Sequence, residues 1–125
     1  MTLKKLVYSW GPVLIWMGLI FYFSSRPSVS VSEEDVVNFV FFKLLHMVEY
    51  GILFFLLFRA FSNKNIALNL IYAFLIAALY GISDEIHQTF IPTREGKLRD
   101  VFIDTLGIAI MYIYMTRRNI LSKKV

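Results

Sequence analysis

Apolar residues along this chain fall in long runs rather than in the short stripes of a water-facing helix. The first, Leu6 to Phe23, has 18 residues and no formal charge. A helix of that length reaches about 27 Å, close to a hydrocarbon core of about 30 Å. Lys4 and Lys5 ahead of it resemble the n-region of a signal peptide. The run nevertheless exceeds the usual h-region, contains Trp10, Trp16 and Tyr22, and lacks a small-x-small cleavage site, so a retained span is expected. A second helix is expected after Ser32-Glu33-Glu34-Asp35, with Ser32 capping an acidic first turn, and continues from Val36 to Phe61. Lys43, His46, Glu49 and Arg59 interrupt it, and Asn63, Lys64 and Asn65 follow as a polar turn. Ile66 to Ile82 is again uncharged and flows into Ser83-Asp84-Glu85-Ile86-His87-Gln88, extending a third helix over 66–88. Pro92 and Gly96 break the pattern, and a fourth span follows at about 99–116.

Composition strengthens the membrane reading. Of 125 residues, 58% are hydrophobic, 17% aromatic and only 18% charged, which excludes a disordered chain and an ordinary soluble domain. The absence of cysteine excludes thiolate metal sites and a thiol nucleophile. The fold expected is all-α: a polytopic membrane protein with four transmembrane helices, a single unit over 1–125. Four spans put both termini on one side. That side carries Lys4, Lys5, Arg59, Lys64, Arg117, Arg118, Lys123 and Lys124, against Arg26, Arg94, Lys97 and Arg99 on the other, so both termini are expected to be cytoplasmic. The expected partner is the lipid bilayer, with no nucleic acid.

In this topology the unusual polar residues converge on the outer leaflet. Residues three and four apart share a helix face, so Lys43, His46, Glu49 and Tyr50 form one stripe. Asp84, His87 and Gln88 form a second, with Glu85 displaced toward another partner, and Asp100, Asp104 and Gly107 form a third, where Gly107 permits close helix approach. Charges in a bilayer are costly and commonly pair or face a cavity. Pairing alone would join Lys43 to Glu49, Arg94 or Arg99 to Asp100, and each histidine to a carboxylate. Two functional chemistries also fit. His46, Glu49, Asp84, His87 and Asp104 are candidate ligands for a divalent metal. Without metal, a carboxylate would orient His87 as general base while Arg94 neutralises an anionic substrate group.

At these residues the chain resembles the VanZ-like family of small bacterial membrane proteins. Trp16, Phe21, Ser24 and Ser25 look like the family's opening segment; Lys43, His46, Glu49 and Tyr50 fit its Lys-x-x-His-x-x-Glu-Tyr pattern. Ser83, Asp84, Glu85, His87 and Gln88 fit its Ser-Asp-Glu-x-His-Gln pattern, followed at matching spacing by Pro92, Arg94, Asp100, Val101, Asp104 and Gly107. Met111 departs from it, standing where many relatives have a second small residue one turn after Gly107. The resemblance implies a multi-pass protein of the bacterial cytoplasmic membrane, in a family whose name-giving members are associated with teicoplanin resistance. It brings no assigned reaction.

Two functional readings stay open at this point. In one, the chain is a membrane-embedded enzyme acting on a lipid-linked or lipid-anchored envelope molecule. Asp84, Glu85, His87, His46, Glu49 and Asp104 then serve as acid, base or metal-binding groups, while Lys43, Tyr50, Gln88, Arg94 and Asp100 bind substrate. In the other, the same pocket binds an anionic lipid head group or a membrane partner without turnover, around a structural polar core.

Overall fold

A computed structural model of the chain describes residues 2–28, 30, 32–61 and 64–122, apart from the side chains of 120–122. Among the described residues the fold is all-helical: α1 (Leu3–Ser24), α2 (Asp35–Ala60), α3 (Ile66–Gln88) and α4 (Leu98–Ser122), with no strand. The polar stretch Ser83–Gln88 continues α3 to its end. Three helices, α1 to α3, are long and apolar enough to cross a membrane. α4 has the length, 25 residues, but Arg99, Asp100 and Asp104 in its first two turns lower its mean hydropathy. Leu14, Phe41, Val48, Leu79 and Phe102 are among many large apolar side chains left exposed, as a surface solvated by lipid requires.

The helix ends follow local chemistry. Thr2 Oγ1 accepts from Lys5 N at the start of α1, and Asn65 Oδ1 accepts from Ala67 N (3.0 Å) and Leu68 N at the start of α3. The cap expected of Ser32 is corrected: α2 starts at Asp35, and Ser32 Oγ accepts from Glu34 N (3.2 Å), ahead of the first turn. Asn38 ties that segment down instead, accepting from Ser32 N (2.9 Å) and donating to its carbonyl (2.7 Å). The turn residue Asn63 and the terminal Lys123 and Lys124 lie outside the described residues. Within the helices, Ser83, Thr105 and Thr116 donate to carbonyls one turn back, which satisfies their hydroxyls without water.

Contacts between helices climb in step. Lys43 meets Asp100, His46 meets Asp104 and Phe54 meets Tyr112, so α2 and α4 run parallel and level, with α3 antiparallel between them in sequence. A Cβ on Gly107 would lie 2.7 Å from the Met47 carbonyl carbon, so only glycine permits this approach. Met111 stands opposite Gly51, where the small residue on α2 accommodates the larger one on α4. The half of the bundle nearest the termini closes on Leu53, Phe54, Leu57, Ala73, Ala77 and Ile108, all fully buried.

α1 is the outlying helix, with 11% of its apolar window buried against 28% for α2 and for α3. Pro12 lacks an N–H, so the carbonyl of Tyr8 has no helical donor. Arg59 at the end of α2 takes it, donating to Tyr8 O at 3.2 Å with its guanidinium over the Tyr8 ring. Mid-bundle, Trp16 Nε1 donates to the Glu49 carbonyl (2.9 Å) and Tyr80 Oη to the Met17 carbonyl (2.7 Å).

Candidate membrane-embedded polar site

The half of the bundle carrying the α1–α2 and α3–α4 connections holds every polar candidate of the second, third and fourth helices. Each turn of an α-helix takes 3.6 residues, so steps of three drift by about 60°. Lys43 and Glu49 therefore face directions about 120° apart, and the expected pair between them does not form. Lys43 Nζ binds Asp100 Oδ2 at 2.7 Å, and Arg99 Nε approaches Asp100 Oδ1 at 3.4 Å. Glu49 lies within electrostatic reach of His46, Asp84, Asp104 and Arg94. Adjacent residues on α3 point about 100° apart. Asp84 accordingly faces α1, and Glu85 faces α4.

On the α1 side the hydrogen bonds form a closed set. The Ser24 hydroxyl donates to Asp84 Oδ1, and Gln88 Nε2 donates to Asp84 Oδ2 at 3.0 Å. Arg94 Nη1 reaches Gln88 Oε1 at 3.5 Å, while its Nε and Nη2 donate to the carbonyls of Arg26 (2.6 Å) and Phe23 (3.1 Å). The guanidinium expected to hold an anion is thus spent largely on the end of α1. Ser25 Oγ donates to the Phe21 carbonyl (2.6 Å), so its contact with His87 Nε2 (2.9 Å) makes the imidazole the donor and places the ring's lone pair on Nδ1. Phe21 stacks on that ring, 4.7 Å between centroids. His87 is therefore paired with Ser25 rather than Asp84. Thr93, at φ +66°, holds a backbone conformation unfavourable for a β-branched residue, and is clasped by Ser28.

On the α4 side the bonds do not close. His46 pairs with Asp104, not Glu49: Nδ1 and Oδ1 are 3.3 Å apart but lack hydrogen-bond geometry. Both oxygens of Asp104 and Oε1 of Glu85 are buried without a hydrogen-bond partner, as is the Tyr50 hydroxyl, although Asp84 and Asp104 are its electrostatic neighbours. Asp104 is 2% exposed and Glu85 4%. Glu85 Oε2 accepts the backbone N–H of Lys97 (3.3 Å). Gly96 makes this turn feasible, since a Cβ there would strike the Glu85 carbonyl and Thr89. His46, Glu85 and Asp104 each offer one ligand atom within 4.8 Å of the others. Of the other metal candidates, Asp84 has both oxygens bonded, His87 offers only Nδ1, and Glu49 stands outside the triad.

Above Lys43 lies an open groove of about 320 Å³, lined by Ser28, Ser30, Asp35, Asn38, Phe39, Phe42 and Lys43. Of its residues, sequence patterning offered only Lys43 as a site candidate and Asp35 as part of a helix start, although an amide at Asn38 within an apolar run was a detectable signal. Ser24 and Ser25 stood out only through family resemblance. Their hydroxyls at the end of an uncharged span were the available clue.

The arrangement is that of a small polytopic membrane protein with a polar cluster enclosed at one end of its bundle. The family model described as VanZ/LLP1 matches residues 9–119, and the chain belongs to that family. Comparison with curated proteins and with solved structures finds no match.

Proposed function

We propose that this chain is a multi-pass protein of the bacterial cytoplasmic membrane whose polar cluster, in the outer leaflet, acts on the head group of a lipid-linked or lipid-anchored envelope molecule. The observation that carries this reading is the set of buried acceptors on Asp104 and Glu85, which no protein donor satisfies. Such groups are costly in a bilayer, and retaining several at one depth serves chemistry better than packing. Because α4 runs level with α2, it crosses wherever α2 crosses, giving four spans with both termini inside, on the side favoured by lysine and arginine. The groove lined by Asn38 and Lys43 admits the head group. His46, Glu85 and Asp104 below it form the reacting centre, and Asp84, Gln88, Arg94 and His87 fix the wall formed by α1. The exposed aromatic and aliphatic surface of the helices takes the hydrocarbon tail.

Teicoplanin susceptibility is the first readout the family suggests. Cells making wild type, Asp104→Asn or no protein are compared at membrane abundances matched by immunoblot, alongside mass spectrometry of phosphate-bearing lipids co-purifying with each. Protection and lipid retention by wild type, with protection lost in D104N, are expected. Equal performance of D104N in both readouts counts against the reading.

A further inference from the structure

Five carboxylates, Glu49, Asp84, Glu85, Asp100 and Asp104, stand at the polar end of the bundle. The permanent cations beside them are committed elsewhere: Lys43 and Arg99 to Asp100, and Arg94 to Gln88 and the carbonyls of α1. Glu85 and Asp104, both more than nine-tenths buried, are left without a paired cation of their own, and three of their four oxygens have no hydrogen-bond partner. Buried carboxylates are ordinarily paired, hydrogen-bonded or bound to metal. Here the first two are only partly met: Glu85 has the Lys97 N–H on Oε2 and Asp104 has His46 beside it, and the other acceptors stay open.

The geometry points to a site for one divalent transition cation, Mn²⁺ or Zn²⁺, held by His46 Nδ1, Glu85 Oε1 and a carboxylate oxygen of Asp104. Two atoms that share an ion at about 2.1 Å, with an angle of about 90–109°, lie about 3.0–3.4 Å from each other. The Nδ1–Oδ1 separation of 3.3 Å falls in that interval, and neither atom has a hydrogen-bond partner. The third ligand atom, on Glu85, lies within 4.8 Å of both. Glu85 is anchored for this: the Lys97 N–H holds Oε2, leaving Oε1 directed inward. Two carboxylates and a neutral imidazole balance a doubly charged ion. Mixed nitrogen and oxygen donors suit Mn²⁺ and Zn²⁺ better than Ca²⁺. Three protein ligands leave a position for water or a substrate oxygen, as in catalytic rather than structural sites. The open groove at Lys43 lies one helical turn from His46.

The site deepens the proposed function by naming a cofactor for it, and it is tested without reference to activity. Full-length protein in detergent is stripped with chelator and titrated with Mn²⁺ or Zn²⁺ alone, with bound metal counted by elemental analysis. One equivalent per chain is expected, Zn²⁺ tighter than Mn²⁺. D104N and E85Q should each bind at least about tenfold more weakly, while the exposed E95Q binds as wild type. Pulsed electron paramagnetic resonance of the Mn²⁺ form should show nitrogen coupling that His46→Gln removes. No binding by wild type at about 1 mM metal overturns the inference, as do wild-type affinities in both D104N and E85Q, or nitrogen coupling that survives in H46Q. A failed titration leaves the susceptibility result standing, and a failed susceptibility test leaves a metal site without the proposed chemistry.

Discussion

Asp84 and Asp104 are both aspartates buried among the same helices, yet their surroundings are opposite. Asp84 receives a hydroxyl and an amide, and the chain of donors continues through Gln88 to Arg94 and the backbone of α1. Neither oxygen of Asp104 has a hydrogen-bond partner, and it faces an imidazole and a second carboxylate with one oxygen also unbonded. A satisfied network rigidifies and fixes one arrangement, whereas unsatisfied acceptors in a low-dielectric interior keep their full attraction for whatever enters. The α1 side thus has the character of a wall, and the α4 side that of a working surface.

The sharpest break in this contrast is at Lys43, which serves the working side structurally. Lys43→Met leaves the buried Asp100 with only the exposed Arg99, and should cost about 3–5 kcal/mol in unfolding from detergent micelles. Adding Asp100→Asn should restore most of that loss. Next comes the comparison of aspartates. Asp84→Asn places an amide donor where Gln88 also donates and should lower stability by about 1–3 kcal/mol. Asp104→Asn removes a carboxylate that no donor supports, and should leave unfolding unchanged or raise its midpoint while abolishing function. The same loss of stability in both variants would erase the distinction. Ser25→Ala removes the acceptor for His87 and should cost about 0.6 kcal/mol, the scale of a side-chain hydrogen bond within a bilayer. Smallest of all is the loop pair, where the Lys97 ammonium, 2.5 Å away, holds the exposed Glu95 carboxyl below its usual range. A lowered folded-state value stabilises above the ordinary glutamate range, and the contribution is lost as pH falls through it. At this exposure Glu95→Gln and wild type should unfold together at neutral and acidic pH alike.

Much of the scaffold was legible because lipid imposes simple demands. Uncharged runs of 17 or 18 residues marked α1 and α3, and Asn65 marked the start of α3. The polar residues could be assigned to one end of the bundle from helix direction alone. Partner choice could not, because it depends on how each helix is rotated about its axis. Lys43 and Glu49 share a stripe on paper, but the accumulated drift turns one to α4 and the other away. Arg94 posed a different difficulty. Its carbonyl acceptors at Phe23 and Arg26 have no side-chain signature, so a backbone clamp and an anion ligand read alike. Glu85 stood out for falling off its neighbours' stripe, and the structure sets it beside His46 and Asp104.

Pro12 bears on how α1 moves. With the Tyr8 carbonyl released to Arg59 at one end and the Phe23 and Arg26 carbonyls held by Arg94 at the other, α1 is tethered by an arginine at each extremity, and between them by the Trp16 and Tyr80 hydrogen bonds and few buried apolar residues. Complete departure requires both tethers to release together, whereas outward bowing between them breaks only the two mid-helix hydrogen bonds and few apolar contacts, and is the easier opening. Amide hydrogens in the middle of α1 should therefore exchange ahead of those facing them on α2. The seam along α1 is the part of the bundle that opens without unfastening either end.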